Sequence, residues 1–384
     1  MTMLQGKLSE RASESFDWAL FIVAVVIAAF GIANLISATS VYTQARAELW
    51  VTQFIFLALG SVLAFAIVAI DYRHIERIAY LLYASGILSL ILVMAVGKDI
   101  RGSKRWIDIG PFGFQPSEFT KLGLVLALAK FIHDSPRSDA PKGLRDLIIP
   151  AALAAVPFLL VLKQPDLGTA LIHGLIFVSV VALVRIRWQS LVGLFITAAI
   201  AAPIAYSRLE TYQLKRIESF LNPESDVTGA GYHAYNARVA IGNGAIFGQG
   251  YQQGTQNQFY FLPDQFSDFP FPVFAEDWGF AGCTVLIILY AFLVVWAVRI
   301  ASQAKDRFGA VVAIGVGAMI FWHAFFNLGM VTGILPVVGV TLPLFSYGGS
   351  SILTILMGLG LLMNVSMRRP HVSAVRGDRV LFAR

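Results

Sequence analysis

The chain has 384 residues, of which 57% are hydrophobic and 14% are charged, and its mean hydropathy is +0.71. This composition is typical of an integral membrane protein and leaves no segment for a separate soluble domain. The net charge is +6, and because no nucleic-acid-binding motif is present, we interpret the basic charge as directed at the membrane. A single cysteine, Cys283, excludes an intrachain disulfide.

Apolar runs that could cross a bilayer recur from one end of the chain to the other. A helical span needs about 20 residues, and since the alternation of a β-barrel is absent, the runs predict helices. We therefore expect an all-α polytopic membrane protein with about ten transmembrane helices that form one domain over 1–384. The predicted spans are 18–39, 50–70, 77–96, 117–133, 147–163, 167–184, 188–206, 271–298, 308–332 and 349–367.

The Lys and Arg residues of the connecting segments indicate the orientation in the membrane. If the N-terminus is cytoplasmic, the inner segments hold more of these residues than the outer loops, as the positive-inside rule requires. The strongest single indication is the C-terminal tail, which carries Arg368, Arg369, Arg376, Arg379 and Arg384. Both termini are therefore predicted to be cytoplasmic.

Two outer loops keep several basic residues against this trend. Basic groups placed outside suggest an anionic ligand on that side, and phosphate is the natural candidate because Arg and Lys bind it by charge and hydrogen bonds. Contact with lipid headgroups is the alternative interpretation. The residues are Lys98, Arg101, Lys104 and Arg105 in one loop, and Arg208, Lys215, Arg216 and Arg238 in the other.

Three segments on the predicted outer side interrupt the helical pattern. Pro and Gly residues exclude a continuous helix in 99–121 and in 333–351. A large extracytoplasmic loop, 207–270, joins the seventh and eighth spans, and we expect short helices within it at about 211–221 and 232–243. Because non-helical backbone near membrane depth is tolerated where it lines a cavity, these segments predict one outward-facing site.

Asp268 lies in a turn just before the eighth span. Phe266, Phe269 and Phe271 surround it in the sequence and would partly desolvate its carboxylate, which suits a general base. A solvated loop carboxylate or a helix N-cap is the structural alternative.

Four more charged residues fall inside predicted spans. Glu276 and Asp277 would lie about 10 Å below the start of their helix, stabilised by its N-terminal dipole or by a partner such as Lys121 or a metal ion. Glu118 and Lys121 are three residues apart and share one helix face, which favours a structural ion pair slightly over a catalytic role. They could equally present charge to a cavity.

Other polar residues have simpler interpretations. Asp166 precedes a span and is most simply an N-cap, although its neighbours Lys163 and Gln164 also permit a ligand role. His323 and Asn327 are four residues apart on the ninth span, and we expect them to form hydrogen bonds within the helix bundle. The same is expected of His173.

Long motifs give the chain a family resemblance. They are RWIDIGPFGFQPSEFTKLGLVLALA at 105–129, QPDLGTA at 164–170, the segment from GTQ to FAEDWG at 254–279, and NLGMVTGILPVVGVTLPLFSYGGSS at 327–351. In these motifs the chain resembles the SEDS family (shape, elongation, division and sporulation proteins). Gly-Thr-Gln at 254–256 and Gly-Met-Val at 329–331 favour its RodA, or elongation, branch.

The resemblance implies an inverting peptidoglycan glycosyltransferase. Members polymerise lipid II, a disaccharide-pentapeptide on undecaprenyl diphosphate, at the outer face of the bacterial cytoplasmic (inner) membrane. Implied partners are a class B penicillin-binding protein, which is a transpeptidase, and other membrane proteins of the elongation complex. A divalent cation, Mg²⁺ or Mn²⁺, could assist the reaction. A lipid II flippase and a non-catalytic scaffold that activates the penicillin-binding protein are the alternatives.

The resemblance also assigns residues. The essential carboxylate of a Thr-Asp-Phe triplet falls on Asp268, although the triplet is Ser-Asp-Phe here and Phe266 stands where a His is usual. Asp264 replaces a common Glu and is treated as secondary. The implied substrate-binding residues are Arg101, Lys104, Arg105, Trp106, Glu118, Lys121, Asp166, Gln256, Glu276 and Ser350, with Arg216 or Arg238 as further diphosphate ligands.

Overall fold

The structure, a computed structural model, describes residues 16–42, 48–100, 103–109, 112–136, 143–182, 187–189, 192–193, 211–221, 229–259, 261–262 and 265–369. Within these residues the regular secondary structure is helical apart from one small sheet. The helices are α1 (Trp18–Thr39), α2 (Leu49–Ala69), α3 (Tyr72–Arg77), α4 (Ala79–Val96), α5 (Pro116–Asp134), α6 (Leu144–Lys163), α7 (Leu167–Val181), α8 (Thr211–Leu221), α9 (Ala230–Asn243), α10 (Thr255–Gln258), α11 (Pro270–Ser302), α12 (Arg307–Val331) and α13 (Gly349–Met367).

The expected all-α membrane architecture is confirmed. Seven helices, α1, α2, α4, α6, α11, α12 and α13, are long and apolar enough to cross a membrane, and α7 is a shorter apolar helix. The central helices α12 and α13 are mostly buried, whereas α2 and α4 expose large apolar side chains such as Phe54, Val62, Leu81 and Leu88. Apolar side chains on the outside of the bundle are suited to contact with lipid.

Nine of the ten predicted spans coincide with helices. The remaining one, 188–206, lies largely outside the described residues, as do Arg101, Asp264 and the tail arginines beyond residue 369. The two short helices expected in the outer loop are present as α8 and α9.

Part of the segment predicted to be irregular, 99–121, forms a three-stranded antiparallel sheet. Its strands are β1 (Lys98–Ile100), β2 (Ser103–Ile109) and β3 (Phe112–Phe114), in the order β1-β2-β3. Ile107 of β2 pairs with Phe114, and this register leads the chain directly into the start of α5. Two of the strands have only three residues, so their alternation of apolar and polar side chains is too short to recognise in the sequence.

Helix α11 is broken at Gly279, whose φ of 65° and ψ of −166° are not helical. Residues 244–250 fill the break. The backbone N–H groups of Phe280 and Ala281 donate to carbonyls of this loop, at 2.9 and 3.0 Å, and loop N–H groups donate to the carbonyls of Glu276 and Asp277, at 2.9 and 3.2 Å. The loop therefore satisfies both ends of the interrupted helix, as a polar backbone near a membrane requires.

Candidate functional site

Asp268 ends a turn, residues 265–268, that several elements hold in place just before α11. The fully buried Gln265 donates to the Ala38 carbonyl at 2.6 Å, which ties the turn to α1. The backbone N–H of Tyr347 donates to the Phe266 carbonyl at 2.8 Å, and Asn327 of α12 donates to the Asp268 carbonyl at 3.0 Å. The half-buried Asp268 carboxylate thus projects from a turn with a fixed backbone.

Residues 339–341, a segment without regular secondary structure, form the wall beside this carboxylate. Gly339 has a φ of +71°, and a Cβ atom added to it would lie 3.3 Å from Oδ2 of Asp268. The next two carbonyls are held by α12: Asn327 donates to Val340 at 2.7 Å, and Nδ1 of His323 lies 3.1 Å from the Thr341 oxygen. The predicted hydrogen bonds of His323 and Asn327 within the bundle are therefore confirmed, and both reach the Asp268 region.

The predicted ion pair between Glu118 and Lys121 is present near the start of α5. The Lys121 ammonium lies 2.9 Å from Glu118 Oε2, and the whole Lys121 side chain is buried. The same Nζ atom lies 2.8 Å from Nε2 of His323. The suggestion that Lys121 pairs with Glu276 or Asp277 is wrong, because its described partners are Glu118 and His323.

Arg105 and Asp166 lock the sheet to the start of α7. Arg105 donates to the Gln164 carbonyl at 2.7 Å and to the Pro165 carbonyl, and its guanidinium lies 3.8 Å from the Asp166 carboxylate. Asp166 caps α7 by accepting from the Thr169 N–H at 3.1 Å, as predicted. Pro165 has an unusual φ of 27°, and the turn around it presents the carbonyls that occupy Arg105.

The remaining candidates differ in exposure and in contacts. Lys104 is exposed on β2, where it can meet an anion. Trp106 is half-buried and packs over Gly113 of β3. Ser350 accepts from the Gln115 N–H at 2.9 Å and lies 3.3 Å from the Gly113 carbonyl, so it joins the start of α13 to the start of α5.

Glu276 is fully buried and accepts hydrogen bonds from residues of the connection that precedes α11. Its carboxylate accepts from the Gln256 N–H at 3.1 and 3.2 Å, from the Thr255 hydroxyl at 3.2 Å and from the Asn243 amide at 3.4 Å. Gln256 therefore meets Glu276 through its backbone. The neighbouring Asp277 accepts from the Ser37 hydroxyl of α1. Both carboxylates hold loops in position rather than pairing with a cation among the described residues.

A second basic group lies near the segment beside Asp268. Arg216 of α8 and Arg238 of α9 line a cavity of about 50 Å³ together with Gly333, Leu335 and Val337. Val337 is two residues from Gly339, so this cavity adjoins the wall beside Asp268. Burial raises the pKa of the hydroxyl of Tyr347, whose ring lies against Phe266, above its ordinary value.

Carboxylate and imidazole groups that could hold a metal ion meet at the opposite end of α5. Among the described residues, Glu76, His133 and Asp134 come together there, but Lys130 already lies 3.1 Å from Glu76 and 3.0 Å from Asp134. Glu118, Asp166 and Glu276 have the protein partners given above.

Sequence reasoning missed that His323 and Asn327 belong to the site. The available signal was two polar side chains one helical turn apart on an otherwise apolar span. Sequence reasoning also missed that Arg105 and Glu276 hydrogen-bond to protein groups; a substrate-binding role for Gln256, whose backbone N–H contacts Glu276, stays a prediction.

Comparison with known proteins agrees with the motifs. The FtsW/RodA/SpoVE family, described as Cell cycle protein, matches residues 17–371. The chain is 39% identical over 318 residues to Peptidoglycan glycosyltransferase MrdB of Escherichia coli K12, covering 83% of this chain and 85% of that protein. It is 30% identical over 433 residues to Peptidoglycan glycosyltransferase RodA of Treponema pallidum, covering 94% and 99%.

Solved structures lead to the same conclusion. A chain of a peptidoglycan synthase complex matches with a TM-score of 0.78 and 35% identity over 92% of this chain and 98% of that one. Rod shape determining protein RodA of Thermus thermophilus matches with a TM-score of 0.68 and 32% identity over 93% and 98%. The chain therefore belongs to the FtsW/RodA/SpoVE, or SEDS, family and falls in its RodA branch.

Proposed function

We propose that this protein is a peptidoglycan glycosyltransferase that polymerises lipid II during cell elongation. The observation that carries the proposal is the half-buried Asp268 carboxylate, held on a turn that α1, α12 and the segment before α13 fix from three sides. A fixed, partly desolvated carboxylate is suited to accept a proton in a transition state. Relatives named peptidoglycan glycosyltransferases support the same reaction class.

The proposed reaction is an inverting glycosyl transfer. Asp268 accepts the proton of the acceptor sugar hydroxyl, whose oxygen attacks the anomeric carbon of the donor sugar. The bond between that carbon and the diphosphate oxygen breaks, and the electron pair leaves with the diphosphate. Phe266 has no titratable group, so the proton passes from Asp268 to solvent without a side chain at that position.

Basic groups on the outer side would stabilise the leaving diphosphate. Lys104 is exposed on β2, and Arg216 and Arg238 line the cavity next to the wall of Asp268. Arg105 is already engaged by two carbonyls, so we assign it to holding the sheet. Arg101 and Asp264 remain predictions, because they lie outside the described residues.

Mg²⁺ or Mn²⁺ would supply further positive charge to the diphosphate. Magnesium is usually bound by one or two carboxylates together with substrate phosphates. Asp268 would be one such carboxylate ligand, together with the diphosphate oxygens of the substrate.

The cellular setting follows from the same proposal. The protein would lie in the bacterial cytoplasmic membrane with both termini in the cytoplasm, where the arginine-rich tail favours that orientation. Its partners would be a class B penicillin-binding protein and other elongation-complex membrane proteins. The match to a chain of a peptidoglycan synthase complex supports a partnership of this kind.

The test is polymerisation of purified lipid II by the full-length protein with its penicillin-binding protein, comparing wild type with Asp268→Asn. We expect the variant to lose at least ~100-fold in rate, because general-base catalysis contributes about 10²- to 10⁴-fold. Glu218→Gln, at an exposed carboxylate of α8, is the control and should polymerise normally. Glycan strands of normal length and rate from Asp268→Asn would refute the catalytic assignment and favour the scaffold alternative.

A further inference from the structure

Asn327 and His323 lie one turn apart on α12, and both contact carbonyls of the segment that runs beside Asp268. The Asn327 amide has two N–H donors and uses them on two carbonyls, those of Val340 and Asp268, at 2.7 and 3.0 Å. One turn away, His323 meets the next carbonyl of the same segment, that of Thr341. The carbonyls of Val340 and Thr341 are therefore held by side chains of a single buried helix, and the same helix holds the backbone of Asp268.

The contacts of His323 determine its protonation. The Lys121 ammonium is only a donor, so His323 Nε2, 2.8 Å away, must accept. The Thr341 carbonyl is only an acceptor, so Nδ1 must carry the proton and donate. His323 is therefore a neutral imidazole in the Nδ1–H tautomer, which the Lys121 contact selects.

These contacts form a continuous connection from α5 to the site. Glu118 fixes Lys121, Lys121 fixes the tautomer and ring orientation of His323, and His323 fixes the Thr341 carbonyl. Two residues before Thr341, Gly339 lies against the Asp268 carboxylate. No group of this connection other than Asp268 has to touch the substrate.

We propose that His323 is a positioning residue for Asp268, and that the Glu118–Lys121 pair acts on the reaction through His323. The proposal rests on the proposed function, since it takes Asp268 as the group that accepts the proton. The proposal gives the Lys121 ammonium a role other than diphosphate binding, and its complete burial agrees with that role.

Two substitutions separate the two contacts of the ring. The side-chain amide of Asn matches the position of Nδ1, so His323→Asn can keep the donor to Thr341 but loses the contact with Lys121. The amide of Gln matches the position of Nε2, so His323→Gln can keep the acceptor for Lys121 but loses the donor to Thr341. Each variant gives up one buried hydrogen bond, so both should lower the melting temperature, and His323→Asn should lower it more because the contact that it loses is with the charged Lys121.

The catalytic effects should differ. We expect His323→Gln to lower kcat for lipid II polymerisation by roughly 10- to 100-fold, with KM within about 2-fold of wild type, because a small misplacement of a catalytic group has effects of this size. His323→Asn should recover most of that loss. Equal kcat values for the two variants, or kcat losses that follow the melting temperatures, would overturn the proposal.

His173 provides the matched control. It is also a fully buried histidine whose Nδ1 contacts a carbonyl, but that carbonyl belongs to Thr169 of its own helix. His173→Asn and His173→Gln should show no such difference in kcat.

Asp268→Asn is measured in the same assay. If it polymerises normally, the proposed function fails. If it is inactive while His323→Gln keeps its full kcat, only the positioning role fails.

Discussion

The buried pair of Glu118 and Lys121 should show strong energetic coupling. Removing one charge leaves the other buried without compensation, a change that costs about 3–5 kcal/mol in the free energy of unfolding. The Coulomb attraction at 2.9 Å is about 6 kcal/mol at an effective dielectric constant of about 20, and the desolvation of both charges offsets much of it.

The two single substitutions should not destabilise the protein equally. Glu118→Gln keeps a side-chain oxygen for the Lys121 ammonium, and His323 Nε2 remains its second acceptor. Lys121→Met leaves the Glu118 carboxylate buried and also deprives His323 Nε2 of its donor, which adds about 1–3 kcal/mol. We therefore expect Lys121→Met to be the more destabilising, and Glu118→Gln/Lys121→Met to be more stable than Lys121→Met alone by about 2–4 kcal/mol.

The assay is unfolding of the purified protein in detergent, with the four members of the double-mutant cycle measured under one set of conditions. The control pair is Lys98 and Asp108, whose side chains are 63% and 50% exposed and 3.2 Å apart. Exposed pairs of this kind contribute about 0.2–1 kcal/mol, so the cycle of Lys98→Met and Asp108→Asn should be nearly additive. Additivity within about 0.5 kcal/mol at Glu118 and Lys121 would refute the reasoning.

Two further predictions concern the helix break and the sheet. Gly279→Ala should destabilise the protein by more than about 2 kcal/mol in the same unfolding assay, because φ is +65° and the new Cβ would lie 2.3 Å from the Gly248 nitrogen. Gly242→Ala is the control, since its new Cβ would have nothing within 4 Å. It should be neutral or stabilising by up to about 1 kcal/mol. A loss of equal size at both glycines would contradict this account of the break. Arg105→Lys should lower the melting temperature and leave KM unchanged, because Arg105 hydrogen-bonds to backbone carbonyls. Lys104→Ala should instead raise KM for lipid II by ~5-fold, the equivalent of about 1 kcal/mol, and leave the melting temperature unchanged. The reverse pattern would mean that Arg105, rather than Lys104, meets the diphosphate.

Local patterns predicted the parts of this protein whose cause lies within a few residues. Hydropathy predicted the spans, the spacing of Glu118 and Lys121 predicted their ion pair, and Asp166 was recognisable as a cap from its position before a helix. In the last two cases the interacting groups are three residues apart, so the local sequence contains the whole interaction.

Interactions between distant residues could not be predicted in this way. Lys121 and His323 are 202 positions apart, and no periodicity relates them. Arg105 is engaged because the turn at Pro165 directs two carbonyls at it, a backbone geometry with no sequence signal. The break at Gly279 lies inside the predicted span 271–298, and one glycine in a long, largely apolar segment does not by itself predict a break.

The break in α11 changes the depth at which two acidic side chains lie. The helix has 33 residues and would be about 50 Å long if straight, whereas the hydrocarbon core of a bilayer is about 30 Å thick. Residues 280–302 alone extend about 34 Å and can cross it. The short piece before Gly279, which carries Glu276 and Asp277, is therefore not needed for the crossing, and it hydrogen-bonds to the loops that precede α11. The carboxylates of Glu276 and Asp277 are buried in protein, and the crossing does not require them to enter lipid.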